Sequence, residues 1–512
     1  LSPTTGVTPH HSMKLKSLAV LLMVGLSIGL FMNRKILLSQ NDEPSPSPAE
    51  TLPPPTLKLL PEETYPSKFS YSGIRMFPKN SCKCEDQQGL HVDRFQNAVQ
   101  PDQLESVKQR RKKEYEHFKK RYRSSPREVL IAQPNSPLSY PVHGVELVPL
   151  STILLPGLGV HVEKKQLFQV TLTASRGAFN TLADVSDDVV HGRGEKEMTI
   201  SSPHQKLVNF ILQHTTYTST VYHIDAVDTV SFRMGPYAAR FPVLIRQPRL
   251  PWLHDPGAER NINSLVTIVT KTFLRYQKLN NLLKSIHKYY PNITIIVADD
   301  NDQPEKIQEP NVEQYFMPFA KGWFAGRNLA VSQVTTKYFL WVDDDFIFNE
   351  KTKLEQLVDV LESTNLDLVG GNVDGNFFSF RLLYEEGDED GDCVHWRGGS
   401  YGPIEGFPNC VLSGGVVNFF MAHTVRVQSV GFDPKLARVA HTEFFIDGMG
   451  SLIIGSCKDV TVGHQRRDDP VDPSRVENMK RYGGFRANTG DQVSFKLQLH
   501  YFKNRLKCYT KK

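Results

Sequence analysis

The 512-residue chain contains no G-x-G-x-x-G and no G-x-x-x-x-G-K-[ST] string. Without a dinucleotide fingerprint or a phosphate loop, a dehydrogenase and a P-loop phosphotransferase both lose their main sequence argument. Excess charge is lacking too: the formal net charge is only +5, which argues against bulk nucleic-acid binding. The densest basic stretch, Lys108 to Arg123, is interleaved with Glu114, Tyr115, Glu116 and Phe118 and reads as a solvated helix face. Cysteine is sparse, with six residues and no C-x-x-C pair, so a zinc site is disfavoured. Long apolar runs are almost absent. The exception is the uncharged segment Ser17–Asn33, flanked by Lys14, Lys16, Arg34 and Lys35. It sits at the lower length limit for a bilayer-crossing helix, and no small-x-small cleavage site follows it. The expectation is a signal-anchor, with Met13 as the initiator and residues 1–12 outside the mature protein.

What is present divides the chain. A short tail (1–16) and the anchor (17–33) lead into a Pro-rich stem (34–61) that contains Pro44-Ser-Pro-Ser-Pro48 and Pro53-Pro-Pro55. Residues 62–128 read as a polar, helical continuation. From 129 to 250, short alternating runs such as Phe168-Gln-Val-Thr-Leu-Thr173 and Phe241-Pro-Val-Leu-Ile-Arg246 are separated by glycine turns, the pattern of a small β-sandwich. Nothing there clusters His, Cys or carboxylates, so its role is structure or partner binding.

From 258 to 512 strands alternate with helices, as in a doubly wound α/β nucleotide-binding sheet. Leu265–Thr270 and Ile293–Ala298 are apolar strands, and Leu279 to Tyr289 is an amphipathic helix with apolar residues at 279, 282, 283 and 286. The run Tyr338–Phe348 is the centre of the pattern, an apolar strand ending in Asp343, Asp344 and Asp345. Strand alternation puts Asp343 and Asp345 on one face and Asp344 on the other. Two acids facing the same way at a strand end suit a Mg²⁺ or Mn²⁺ ion whose coordination is completed by phosphate oxygens.

Other strand ends carry matching chemistry. Thr270 and Lys271 close the first strand, and Asp299 and Asp300 close the second, where an acid reads a base or ribose hydroxyl. Gly322 opens a helix whose Arg327 is placed to grip phosphate, and Asp344 joins this donor-facing set. Downstream, Glu443 and Asp447 share one face of a helical turn beside a core, which makes either a candidate general base. His464 ends another β-type run and is a candidate third metal ligand.

Leu340-Trp-Val-Asp-Asp-Asp-Phe346 contains the D-x-D motif of metal-dependent GT-A glycosyltransferases. Lys321-Gly-Trp-Phe-Ala-Gly-Arg-Asn-Leu-Ala330, Gly414-Gly-Val-Val-Asn-Phe-Phe420 and Glu443-Phe-Phe-Ile-Asp-Gly448 resemble the β-1,4-N-acetylgalactosaminyltransferases. The resemblance runs from about Leu57 to the C-terminus. Gly73 to Cys84 and Val462-Gly-His-Gln465 look like the branch that makes Sd(a)-type antigens; the alternative branch acts on sialyl-lactosylceramide. The resemblance implies a GT-A fold and inverting transfer of N-acetylgalactosamine from UDP-GalNAc to a galactose bearing α-2,3-sialic acid. It also implies Mn²⁺ on Asp343, Asp345 and His464, Glu443 as base with Asp447 as rival, and a type II Golgi protein with its catalytic domain in the lumen. Sialylated glycoproteins or glycolipids would be the acceptors and a homodimer the assembly, with no nucleic-acid partner. A non-catalytic carbohydrate-binding protein is the competing class.

In an oxidising lumen six cysteines suggest disulfides. Cys410 with Cys457 is the expected internal bridge, and Cys82 and Cys84 are expected to pair with Cys393 and Cys508, within the chain or across a dimer. Asn292-Ile-Thr294 is an N-glycosylation sequon.

Overall fold

The computed structural model describes residues 54–68, 74–75, 98–122, 130–132, 137–163, 166–466, 471–487 and 489–512. The anchor segment, most of the stem, Cys82 and Cys84 lie outside the described residues. Among the described residues no helix is long and apolar enough to cross a membrane. The chain forms two compact units, one of residues 1–80 and 129–247, the other of 81–128 and 248–512.

In the first unit the alternating runs form a six-stranded and a four-stranded sheet. Strand Asp225–Met234 shows the cause: Ala226, Asp228, Val230, Phe232 and Met234 are buried while the residues between them face outward. Helix Gln205–Gln213 buries Leu207, Val208, Ile211 and Leu212 in the same core. Asp228 sits in that core because its carboxylate accepts from Ser175 N–H, Ser175 Oγ, Arg176 N–H and Tyr217 OH. The end of the stem belongs here as well: Leu59 bridges to Ala183, and Leu60 N–H donates to Leu182 O.

The second unit is built on a ten-stranded mixed sheet. Four parallel strands lie in the order Val312–Phe316, Ile295–Asp299, Val266–Thr272, Tyr338–Trp341. The next strand, Phe420–His423, runs antiparallel to the last of these. Alternation along the strands feeds two cores. Val266, Ile268, Ile295, Val297, Tyr338 and Leu340 pack under helices Tyr276–Tyr289 and Leu354–Ser363. Val269, Ile296, Phe339 and Trp341 pack with helix Trp323–Ser332 on the opposite face. The first strand has the second on one side and Tyr338–Trp341 on the other. Strand order therefore reverses at its carboxyl end, the place where open α/β sheets leave a crevice.

Helix Leu104–Tyr122 departs from the solvated face read from its sequence. Glu114 is buried against Lys337 Nζ at 2.9 Å, Lys337 also pairs with Glu362, Arg110 pairs with Asp255, and Arg121 pairs with Asp367 at 3.0 Å. The alternating charges are a docking pattern whose partners lie more than a hundred residues away.

The cysteines require a correction. Cys410 and Cys457 are bonded across adjacent antiparallel strands, but Cys393 is bonded to Cys508, not to Cys82 or Cys84. The reason is register: strands Gly391–Gly398 and Leu506–Lys511 run parallel and place Cys393 directly beside Cys508.

Candidate active site

A cleft of about 720 Å³ opens at the strand-order reversal, lined by Lys271, Arg275, Asp300, Gly322, the three aspartates and His464, among others. The strand ends at Trp341, so Asp343–Asp345 form a turn closed by Phe346 N–H donating to Asp343 O. Strict alternation stops with the strand. Asp343 and Asp345 are half-buried and Asp344 is buried, yet all three reach the cleft. The two-residue strand Phe346–Ile347 then pairs with Ile454–His464 and sets Phe346 opposite His464. That pairing brings His464 Nε2 to 3.4 Å from Asp345 Oδ2.

Arg275 closes the stretch Thr270–Arg275, whose hydroxyls and cations the sequence offers to a nucleotide, and it organises the acidic turn. Its guanidinium donates to Asp344 Oδ1 and, at 2.8 Å, to Asp345 Oδ2, and it lies 4.4 Å from the Tyr482 ring centroid. Burial pushes Asp344 up to about 7 against the pull of Arg275, and burial together with Asp345 raises Asp343 to about 6. Burial also acts to raise Asp345, but His464 and Arg275 outweigh it and hold that carboxyl well below the usual range. The same contact raises His464 above the ordinary imidazole value.

The other donor candidates separate into those that face the cleft and those that do not. Lys271 pairs with Asp300, whose other oxygen accepts from Gly322 N–H at 2.9 Å. Gly322 is required where it stands: φ is +93°, and a Cβ there would lie 2.3 Å from the Ala437 Cβ. Thr270 is buried and does not line the cleft. Asp299 is spent internally, accepting from Tyr276 OH, Gln314 Nε2 and Asn301. Arg327 is also off the cleft surface; it is 1% exposed and enclosed by aromatic rings, so it does not present its guanidinium to a phosphate.

The base candidates are both tied up in ion pairs. Glu443 is buried against Lys496 Nζ at 2.6 Å and His500, and Asp447 is held by Lys503 and Asn504. Neither lines the cleft, whereas Asp491, in the first turn of helix Gly490–Phe502, does. Asp491, Asn418, Tyr482 and Arg438 are cleft residues that the sequence reading missed. Asn418 left one trace, as the polar residue between Val417 and Phe419 in an otherwise apolar run. Asn292 is exposed in the turn before Ile295–Asp299, where its side chain is open to modification.

Asp345 and His464 offer an oxygen and a nitrogen donor side by side at the cleft, a set that fits Mn²⁺ finished by phosphate oxygens better than the all-oxygen Mg²⁺. Asp343 is not gathered with them. Among the described residues the one group of three donors within 4.8 Å is Cys410, Cys457 and Asp459, and its two cysteines are bonded to each other.

A mixed sheet whose parallel strands reverse order beside an acidic turn, a histidine and buried cations has the build of a GT-A nucleotide-sugar glycosyltransferase, and the family model "Glycosyl transferase family 2" matches residues 267–398. A mouse protein, β-1,4 N-acetylgalactosaminyltransferase 2, is 54% identical over 96% of this chain and 96% of its own length. The rat β-1,4 N-acetylgalactosaminyltransferase 1 is 43% identical over 96% of this chain and 98% of its own, and the human one 44% over 88% and 90%. The chain belongs to the β-1,4-N-acetylgalactosaminyltransferases. Among solved structures, S. aureus TarS 1–349 with UDP shares 15% identity over 46% of this chain and 72% of that one, at a TM-score of 0.29.

Proposed function

We propose that this chain transfers N-acetylgalactosamine from UDP-GalNAc to the 4-hydroxyl of a galactose carrying α-2,3-sialic acid, inverting the anomeric centre. The observation that carries the reading is the acidic turn, which brings Asp345 beside His464 at the strand-order reversal in a chain of this family. A divalent cation held by Asp345 and His464 would supply Lewis-acid stabilisation of the charge that develops on departing UDP. Lys271 and Arg275, both on the cleft wall, add positive charge for the diphosphate. Asp300 fixes Lys271 and the Gly322 backbone, so the strand end and the helix start keep one geometry around the donor.

The acceptor hydroxyl must lose a proton as it attacks from the face opposite UDP. Glu443 and Asp447 do not line the cleft and Asp491 does. Rates of Glu443→Gln, Asp447→Asn and Asp491→Asn at saturating donor assign the base to the variant that keeps UDP affinity and loses turnover. In the cell we place the protein in the Golgi membrane, anchored by residues 17–33, with the second unit in the lumen, acting as a homodimer on sialylated glycans.

The test is an assay of the full chain with UDP-GalNAc and Mn²⁺, with and without chelator. Acceptors are a sialylated N-glycan, sialyl-lactosylceramide and their asialo forms. Chelator-sensitive transfer to the sialylated N-glycan over the glycolipid supports the Sd(a)-type reading. Preference for the glycolipid moves the acceptor to the ganglioside type, and no transfer to any of them overturns the catalytic reading.

A further inference from the structure

Arg327 is a buried cation without a direct ion pair. It is 1% exposed, and among the described residues no carboxylate is bonded to it; the negative charge that acts on it is that of Asp343, on the far side of Asn418. Its guanidinium carbon lies 4.4 Å from the Trp341 ring centroid, 4.9 Å from Trp323, 5.5 Å from Phe324, 5.6 Å from Phe432 and 5.9 Å from Phe420. Nε meets no acceptor, while Nη2 donates to Asn418 Oδ1 at 2.7 Å.

Two contacts of this cation converge on one acid. Asn418 Nδ2 donates to Asp343 Oδ2 at 3.0 Å, and Trp341 Nε1 donates to Asp343 Oδ1 at 3.1 Å. A guanidinium only donates and a carboxylate only accepts, so Arg327 and Asp343 together leave the Asn418 amide one orientation. The same guanidinium lies over the Trp341 ring and restrains the indole that carries the second donor. Both oxygens of Asp343 are thus held by neutral N–H groups of the two side chains that Arg327 touches.

We propose that Arg327 is a positioning residue: through Asn418 and Trp341 it fixes the rotamer of Asp343 at the cleft, and so sets how the metal-bearing donor is held. The inference rests on the reading of the cleft as a UDP-sugar and divalent-cation site. Arg327 itself touches neither phosphate nor metal. The Asp343 carboxylate, with its oxygens tied from behind, receives the donor complex in one orientation rather than several.

The experiment compares the full chain with Arg327→Gln, Asn418→Ala, their double variant and Trp341→Phe. It measures Mn²⁺ affinity in the presence of UDP by paramagnetic resonance, KM and kcat for UDP-GalNAc, and Tm. If Arg327 acts through Asn418, each single variant weakens Mn²⁺–UDP binding by about 10- to 100-fold, as loss of an outer partner of a metal site does. The double variant is then no worse than the weaker single one. Trp341→Phe keeps the ring and loses the donor, so it shows part of the same loss at nearly unchanged Tm. Variants that lower Tm yet bind Mn²⁺–UDP as the wild type does, or single losses that multiply in the double variant, overturn the inference and leave Arg327 as packing. A wild type without Mn²⁺–UDP binding overturns the metal reading and this inference together, and so is told apart from the first result.

Discussion

Replacing Asp345 and Asp343 one at a time with asparagine should give unequal defects. Asp345 Oδ2 is shared by Arg275 at 2.8 Å and His464 Nε2 at 3.4 Å, so it is the acid that meets a second metal-type donor. Asp343 has both oxygens occupied by Trp341 and Asn418. A cation at Asp345 and His464 loses its anionic ligand in Asp345→Asn and keeps it in Asp343→Asn. Removing one preorganised electrostatic group from an active site costs about 2.7–4 kcal/mol, or about 10²- to 10³-fold in kcat. Asp345→Asn is expected to lose at least that much. Asp343→Asn, on the cleft but outside the Asp345–His464 pair, is expected to lose about 10- to 100-fold. Arg275 keeps Asp344 in the Asp345 variant, so the fold survives and circular dichroism should match the wild type. The assay is initial-rate transfer across a Mn²⁺ titration, paired with Mn²⁺ binding in the presence of UDP. Near-normal Mn²⁺-dependent rates in Asp345→Asn, or a larger loss of Mn²⁺ affinity in Asp343→Asn, would refute the assignment.

Three further outcomes follow from contacts outside that pair. Lys337→Met leaves Glu114 and Glu362 buried without their shared cation and should cost about 3–5 kcal/mol in denaturant unfolding; a loss below about 1 kcal/mol would show that this pair does not hold helix Leu104–Tyr122. His464 must be neutral to bind a metal, and Asp345 raises its pKa, so Mn²⁺ affinity should climb as pH rises through that raised value. Without metal the sign reverses. The contribution of His464 is complete below about pH 6.5 and lost as pH rises through the raised value, whereas that of Asp345, whose pKa is depressed, is present above about pH 3.9 and lost as pH falls through its folded value. The metal-free Tm should therefore favour weakly acidic buffer, and His464→Gln should remove both slopes when Tm and Mn²⁺ titrations are run at low and high pH. Cys508→Ser opens a loop whose ends are 115 residues apart and should cost about 4–5 kcal/mol; a non-reducing peptide map that joins Cys393 to Cys82 or Cys84 would contradict the pairing.

The sheet was legible because its signal is local. The short apolar runs Leu265–Thr270 and Tyr338–Trp341 and the stripe Leu279, Leu282, Leu283, Ile286 each follow from the pattern of one element, and each is buried. The acidic turn was legible as chemistry but not as geometry. Asp344 was assigned to the opposite face by strand alternation, and alternation has no meaning once the chain leaves the strand after Trp341. The bridge from Cys393 to Cys508 depends on a parallel register between two distant strands, about which neither segment carries information alone. Glu443 was legible as a candidate base beside a core, but not its partners: Lys496 and His500 reach it from a helix some fifty residues on.

Arg327 was misread for a deeper reason, which Arg275 makes plain. Both arginines stand near the strand-order reversal and both are drawn out of water. Arg275 has two carboxylates, so its burial is offset by opposite charge. Arg327 has none in contact, only the attraction of Asp343 beyond Asn418, and taking a cation out of water costs several kcal/mol. Each ring over or under a guanidinium returns about 0.5–2 kcal/mol, and the Asn418 hydrogen bond adds to that return. Packing alone gives no reason to accept the remainder, because a methionine fills such a space without a desolvation penalty. What methionine lacks is a donor that orients Asn418 while its own plane rests on Trp341. The unfavourable choice makes sense only because both contacts end on Asp343, the acid whose direction the cleft must hold fixed.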